Sequence, residues 1–359
     1  MLIRIFAGGS QWGLGHDSRV VTAAFRSSGA SIEYCDPITW LPPSGSRPAD
    51  IHIYLEQPCR LAIASARLNV MVVNPEWFPA TAWNWCAAEM DLFVFKTRAA
   101  ARLFTDVPLA KKIVIPWRSD MPIDFGTWVS KESRFLYVIG GSINKAIAAR
   151  DIVRTWRPEW PPLEIWCAPA IAAHLAAEAT TATNIFFQTE YRSAAEREAR
   201  QRACAWHVVA SAAEGYGFTM AEAVACGAPV LWTDLPVYRE SYLLTSDVGR
   251  IDMVPMPPEA IPVITGTHDL YRQPMREGKL AAASGAAIEA AVHSLLGPGP
   301  SQVERIQQKY REQRTRAFKG FREGWQRVLE MEPVPVPAPT KEQLLAEVRV
   351  LMAKIEALA

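Results

Sequence analysis

Between Trp206 and Glu240 the chain reads WHVVASAAEGYGFTMAEAVACGAPVLWTDLPVYRE, and no other stretch restricts its fold as much. Trp206 to Ala210 is a short apolar run bounded by small residues, the pattern of a buried strand. Glu214-Gly-Tyr-Gly217 breaks it. Thr219 predicts an N-cap for a helix from Met220 to Cys226, Gly227 supplies the left-handed residue that ends it, and Pro229 blocks its continuation. Pro229 to Trp232 is the next strand. Glu214 falls on the turn and Glu222 inside the helix, so carboxylates flank the backbone amides of a helix N-terminus. The amides and helix dipole suit a phosphate, and the carboxylates accept hydrogen bonds from hydroxyls.

The same alternation runs through the chain. Leu2–Ala7, Ile32–Cys35, Ile51–Leu55, Asn69–Val73, Asp91–Phe95 and Lys112–Pro116 read as strands of one parallel sheet. A helical segment is expected at Cys59–Arg67, and another, capped by Asp17 or Ser18, running to Arg26. The first strand enters a glycine-rich loop, Gly8 to His16, whose spacing is not that of a dinucleotide fingerprint. Residues 119–134 are mixed and polar and predict a domain boundary. Phe135–Ile139, Leu163–Cys167, Ile185–Gln188 and Arg250–Val254 then join the Trp206 unit in a second sheet. After Phe135–Ile139, Gly140-Gly141-Ser142-Ile143-Asn144-Lys145 places a lysine at a helix start behind a glycine turn, a phosphate-binding arrangement. Arg192–Arg202 reads as a charged helix with a solvated face. Residues 255–284 read as loop and short helix. Ser301–Leu329 is a long amphipathic helix with a basic face.

The string EGYGFTMAEAVACGAPV closely resembles the nucleotide-sugar signature of retaining GT-B-type glycosyltransferases, where two Glu enclose seven residues, as Glu214 and Glu222 do. The resemblance implies an α/β GT-B architecture: two Rossmann-like domains facing across a cleft, with a C-terminal helix crossing back. The expected divisions are 1–127 for the acceptor side, 134–300 for the nucleotide sugar, 301–330 for the returning helix, and 331–359 for a Pro-rich linker and amphipathic tail. It implies a metal-independent transfer from a nucleotide sugar, with UDP-sugar favoured and no cofactor, to an acceptor hydroxyl with retention. The acceptor would be a saccharide or glycan. Hydroxymethylated bases in DNA are an alternative acceptor, and a non-catalytic sugar-nucleotide-binding protein is the other alternative.

Carried over residue by residue, Glu222 would hold the donor ribose and Glu214 the hydroxyls of the transferred sugar. The amides of Gly215, Tyr216, Gly217 and Phe218, with Lys145, would stabilise the departing diphosphate. Ser142, Asn144, Gly9, Glu190 and Asp234 lie on loops that reach the donor in the family, and Glu240 ends the loop that Asp234 begins. An arginine expected about six residues before Lys145 is replaced by Ile139, leaving Ser142, Asn144 or Arg150 to substitute. His16 occupies the place of a general base in inverting relatives. Trp12, Asn74, Glu76, Trp77, Trp117 and Arg118 are the acceptor-side candidates, being aromatic, amide or charged residues at strand ends.

A formal net charge of +1 gives no global attraction to nucleic acid or anionic membrane. The six cysteines are scattered without a C-x-x-C cluster, which argues against zinc or a disulfide framework and suits a reducing cytoplasm. The opening residues lack signal-peptide anatomy, and no apolar run approaches the roughly 20 residues of a membrane span. Beyond a stiff EPVPVPAP linker, Leu344, Val348, Leu351, Ile355 and Leu358 form an a/d seam, and self-association through 340–358 is expected, with docking on the body of the protein as the alternative.

Overall fold

The computed structural model describes residues 1–8, 13–26, 28–41, 47–126, 130–179, 182–190, 192–242, 248–255, 275–278, 280–282, 284–297 and 300–331. Gly9, Trp12 and the 340–358 seam therefore lie outside the described residues. The elements run β1 (Leu2–Phe6), α1 (Gly13–Arg26), β2 (Ser31–Cys35), β3 (Ala49–Leu55), β4 (Ala66–Val73), α2 (Cys86–Glu89), β5 (Leu92–Phe95), α3 (Arg98–Arg102) and β6 (Lys112–Val114). They continue with β7 (Glu132–Gly140), α4 (Ile143–Thr155), β8 (Leu163–Cys167), α5 (Pro169–Glu178), β9 (Ile185–Gln188), α6 (Ala194–Ala203), β10 (Cys204–Val209), α7 (Phe218–Ala225) and β11 (Val230–Thr233). Then come α8 (Pro236–Tyr242), β12 (Arg250–Ile251), β13 (Met253–Pro255), β14 (Leu280–Ala282), α9 (Gly285–Leu296) and α10 (Pro300–Leu329).

Two six-stranded parallel sheets result, in the orders β2-β1-β3-β4-β5-β6 and β12-β11-β10-β7-β8-β9. By contact density the chain divides into two compact units, one centred on Met1–Met71 with Glu89–Leu92, the other on Val72–Ala88 with Phe93–Leu329. Each sheet reverses its winding once. In the first, the chain goes from β1 to β2 on one side and resumes with β3 on the other; in the second, β7 leads to β8 and β9 while β10 leads to β11 and β12. The crevice at such a reversal, outside the strands' carboxyl ends, is where open α/β sheets bind ligands.

The second sheet is built on continuous apolar strands, as burial on both faces requires. Phe135, Leu163, Ile165 and Val208 join Ile147 and Ile152 of α4, Trp156 just past its end, and Ile288, Val292 and Leu295 of α9 in one core. Trp156 meets Phe135 edge-on at 5.1 Å and Trp160 at 5.2 Å, so these tryptophans serve packing. Along α10, Val303, Tyr310, Phe321, Trp325 and Val328 form the buried stripe. The helix passes the end of α7, where Gln307 Nε2 donates to Gly227 O at 3.2 Å, and reaches Trp117 beyond β6.

Several local expectations need correction. Residues 60–65 form a 3-10 turn, and Ala66 and Arg67 already belong to β4, because the β-branched and apolar run that follows recruits them into the sheet. Helix α1 starts at Gly13, so Asp17 and Ser18 are buried inside it and do not cap it. The strand expected over 250–254 splits: β12 closes the sheet, and β13 turns away to pair antiparallel with β14.

Candidate active site

The reversal in the second sheet lies between β7 and β10, which are paired directly. The loop after β7 leads into α4, and Ser142 caps that helix by accepting from the Lys145 N–H at 3.4 Å. The loop after β10 leads into α7. Its N-cap is Gly217 at φ +83°, two residues ahead of the expected Thr219. The left-handed backbone lets Phe218 start the helix, and the Tyr238 ring fills the space a Cβ would need, at 2.5 Å. Thr219 thus lies inside the first turn, and its Oγ1 has no hydrogen-bond partner among the described residues. The other end follows the expected pattern. Gly227 at φ +65° receives the chain, with Gly227 N–H on Val224 O at 3.1 Å and Ala228 N–H on Ala223 O at 3.2 Å.

Two helix N-termini therefore converge on one crevice, and Lys145 and Glu214 join them. Lys145 Nζ lies 3.9 Å from Glu214 Oε1, with each side chain 14% exposed. That is an ion pair too long for a strong hydrogen bond, so both groups keep capacity for a ligand. The first turn of α4 is pinned from behind. Tyr137 Oη lies 2.9 Å from Lys145 O and 2.6 Å from Ala210 O, and Ala212 N–H donates to Asn144 O at 2.9 Å. Burial raises the Tyr137 phenol well above its usual range, with Glu214 adding to the effect, so it stays a neutral donor. Ile139, at the place of the expected arginine, is 3% exposed and packs in the core, while Arg150 pairs with Asp151 at 3.1 Å.

Glu222 is 6% exposed. Its Oε2 accepts from Gln201 Nε2 at 2.6 Å, and Arg197 approaches Oε1 at 3.9 Å. Gln201 is held in turn: His207 Nε2 donates to its carbonyl at 2.7 Å, and burial pushes the His207 pKa down to about 4, keeping the ring neutral. The charged helix α6 is therefore more than a solvated face. Gln201 and Arg197 reach inward to orient Glu222, which no local pattern announces. The exposed side of α6 follows its capping box, in which Ser193 and Glu196 bond reciprocally.

The turn after β4 meets the same loop. Asn74 and Glu76 are 8% and 6% exposed, and a Cβ on Gly215 would lie 2.5 Å from Asn74 Oδ1 and 2.8 Å from Glu76 Oε2. Only glycine permits that approach. Trp77 is half-buried on the same 3-10 turn. Trp117 is 2% exposed, its ring 5.2 Å from Phe321 and under Lys96 Nζ at 4.9 Å, so it is committed to packing. Arg118 lies over Phe318 at 4.4 Å and lines a small cavity with Tyr216 and Arg314. Burial lowers both guanidinium pKa values. Phe218 meets Tyr216 edge-on at 5.1 Å. Asp234 pairs with Arg239, Glu190 is an exposed partner of Arg192 at 3.5 Å, and the Glu240 carboxylate accepts the Arg98 and Ala99 amides of α3 at 2.6 and 2.9 Å. His16 is half-buried in the first turn of α1 within the first unit. Among the described residues, no three His, Cys, Asp or Glu side chains are grouped to hold a metal ion, and no helix is long and apolar enough to cross a membrane.

At the sequence level no protein-family model matches this chain, and no curated protein matches it. Solved structures do. An Anabaena protein, HepE, in complex with UDP and glucose aligns with a TM-score of 0.63 at 12% identity, covering 92% of this chain and 100% of that one. The fold is that of the GT-B glycosyltransferases. An α,α-trehalose-phosphate synthase (UDP-forming) from Burkholderia vietnamiensis gives 0.62 at 10% identity, covering 92% and 99%. A trehalose-6-phosphate synthase analysed for glycosyltransfer with retention gives 0.58 at 8% identity, covering 92% and 98%. At such identities the GT-B likeness is one of fold, and the chemistry of the crevice has to be argued from its own residues.

Proposed function

We propose that this chain is a glycosyltransferase that moves a sugar from a UDP-sugar to a saccharide hydroxyl, with retention and without a metal ion. The observation that carries the reading is the meeting of Lys145 and Glu214, 3.9 Å apart, where helices α4 and α7 begin at the winding reversal of the second sheet. A nucleoside diphosphate needs cationic and N–H groups beside carboxylates that accept from hydroxyls, and this crevice offers both. Glu222, oriented by Gln201 and Arg197, holds the ribose hydroxyls. Lys145, the first-turn amides of α4 and α7, and Ser142 receive the diphosphate. As the glycosidic bond breaks, negative charge grows on the leaving oxygen, and Lys145 with the helix N-termini stabilises it. Glu214 accepts from the hydroxyls of the transferred sugar and, paired with Lys145, holds it in register. Within this reading residues 134–300 form the donor half and 1–127 the acceptor half, with Asn74, Glu76, Trp77 and His16 on the acceptor side. UDP is favoured because the UDP-bound and UDP-forming structures above share the fold.

The test is transfer of labelled sugar from a donor panel to glycans, plain DNA and hydroxymethylated DNA. Transfer to a glycan, lost in Glu214→Ala, supports the reading. Transfer to DNA alone contradicts the acceptor assignment, and no release of nucleoside diphosphate with any acceptor contradicts the enzyme assignment.

A further inference from the structure

Residues 275–278 belong to no sequence motif, yet they are anchored firmly to the turn after β4. Met275 bridges antiparallel to Pro79. Arg276 N–H donates to Phe78 O at 2.9 Å and Glu277 N–H to Pro75 O at 3.3 Å. The Arg276 guanidinium grips Asp106, with Nη2 on Oδ2 at 2.8 Å, reaches Asn84 at 3.3 Å, and lies over the Phe104 and Phe78 rings at 4.7 and 5.4 Å. Because the same turn touches Gly215 through Asn74 and Glu76, this anchoring carries Glu277 to the Glu214 loop.

The main-chain N–H of Glu214 donates to the Glu277 carboxyl, whose Oε2 is sealed from solvent without a hydrogen-bond partner among the described residues. Tyr238 stands opposite, its ring against Gly217. It is 0% exposed, its hydroxyl has no partner among the described residues, and its carboxyl neighbours are Glu214, Glu76 and Glu277. A fully buried hydroxyl without a partner is costly unless a ligand satisfies it.

We propose that Glu277 and Tyr238 form a sugar-selecting wall of the donor site, taking a neutral hexose on the nucleoside diphosphate and rejecting a hexuronic acid. The inference rests on the glycosyltransferase reading above. Glu214 accepts hydrogen bonds, while the Glu277 carboxylic acid and the Tyr238 phenol donate them. Vicinal hydroxyls of a pyranose both donate and accept, and so match this set. A sugar carboxylate would face Glu214 and Glu76 with Lys145 as the counter-charge beside Glu214. The protonation states agree with this geometry. Burial first, and the Glu214 charge second, push the Glu277 pKa up to about 8, and burial keeps Tyr238 and Tyr137 neutral.

Calorimetric titration of the full chain with UDP, UDP-glucose and UDP-glucuronate tests this. The expected result is UDP-glucose binding roughly tenfold or more tighter than UDP-glucuronate. Glu277→Ala should weaken UDP-glucose by roughly tenfold while UDP changes by no more than about twofold. Glu277→Gln, a neutral isostere, should keep UDP-glucose affinity and remove the weakening that the wild type shows above a pH of about 8. Tyr238→Phe, which removes only an oxygen, should weaken UDP-glucose selectively and serves if the alanine variant fails to fold. Equal effects of these variants on UDP and UDP-glucose, or equal affinity for glucuronate and glucose donors, would overturn the inference. No binding of UDP itself would overturn the donor assignment on which it rests.

Discussion

The two sheets reverse their winding by the same rule but furnish the reversals differently. In the second sheet, the loops after β7 and β10 carry a charged pair, two helix starts, one of them capped by Ser142, and a glycine in a left-handed backbone that other residues rarely adopt. In the first, the loops after β1 and β3 meet as Gly8 beside Gln57, and the one non-glycine residue with positive φ among those described, Glu56 at +63°, directly follows β3. That carboxylate in a strained backbone has no signature in the sequence. A diphosphate imposes fixed demands on backbone and charge, which leave a readable string. A site that receives hydroxyls can be built from many residue types, and it leaves a weak trace.

The largest effect that sharpens this contrast comes from Lys145→Ala. If Lys145 faces the leaving group as proposed, its removal should lower kcat by about 10²–10³-fold, as loss of a single preorganised donor does. Single-turnover release of nucleoside diphosphate measures it, and a loss confined to KM would place Lys145 in binding alone. The glycines separate the two reversals next. Gly217→Ala combines positive φ with a Cβ 2.5 Å from the Tyr238 ring and should cost about 1–3 kcal/mol in denaturant unfolding. Gly8→Ala meets only the movable end of Gln57 at 3.2 Å and should cost less than about 1 kcal/mol. Equal costs would break the comparison.

Gln201→Leu tests how Glu222 is held. Loss of the 2.6 Å bond to a buried carboxylate should weaken nucleotide binding by roughly tenfold and stability by about 1–3 kcal/mol. A change in stability without any change in affinity would leave Gln201 a packing residue. The smallest effect is a shared one. Each sheet buries a neutral histidine, His52 on β3 at about 3 and His207 on β10 at about 4, both depressed chiefly by desolvation from 6.5. The unfolded chain binds the proton first, so their contribution is present above pH 6.5 and is lost as pH falls toward 4. His207→Gln should flatten part of that decline in urea midpoints measured across this range, and an unchanged slope would contradict a neutral buried His207.

Local signals carried the fold. The strands over 163–167 and 185–188 appear where the apolar runs place them, the first with alternate residues buried and the second as the sheet's half-exposed edge. The helix after Glu214 is legible through Gly227 and Pro229 at its end, but it starts earlier than Thr219 predicts, because Thr219 is the better cap by type while Gly217 is the better one by backbone angle. Gln201, Tyr238 and Glu277 were not legible at all. Each reaches the crevice from an element whose local pattern has another explanation, a charged helix for Gln201 and a turn-rich stretch for Glu277. Their placement depends on contacts between residues far apart in sequence, such as Arg276 on Asp106 and Gly215 on Asn74.

The central claim is that Glu222 and Glu214, one inside α7 and one on the loop before it, grip opposite ends of a nucleotide sugar. The most direct measurement is donor binding and turnover by the wild type, Glu222→Ala and Glu214→Ala on one UDP-sugar panel. The account predicts that Glu222→Ala loses affinity for UDP and UDP-sugar alike, whereas Glu214→Ala keeps UDP and loses the sugar-dependent part together with turnover. Wild-type turnover in Glu222→Ala, or the same loss profile in both variants, would contradict it.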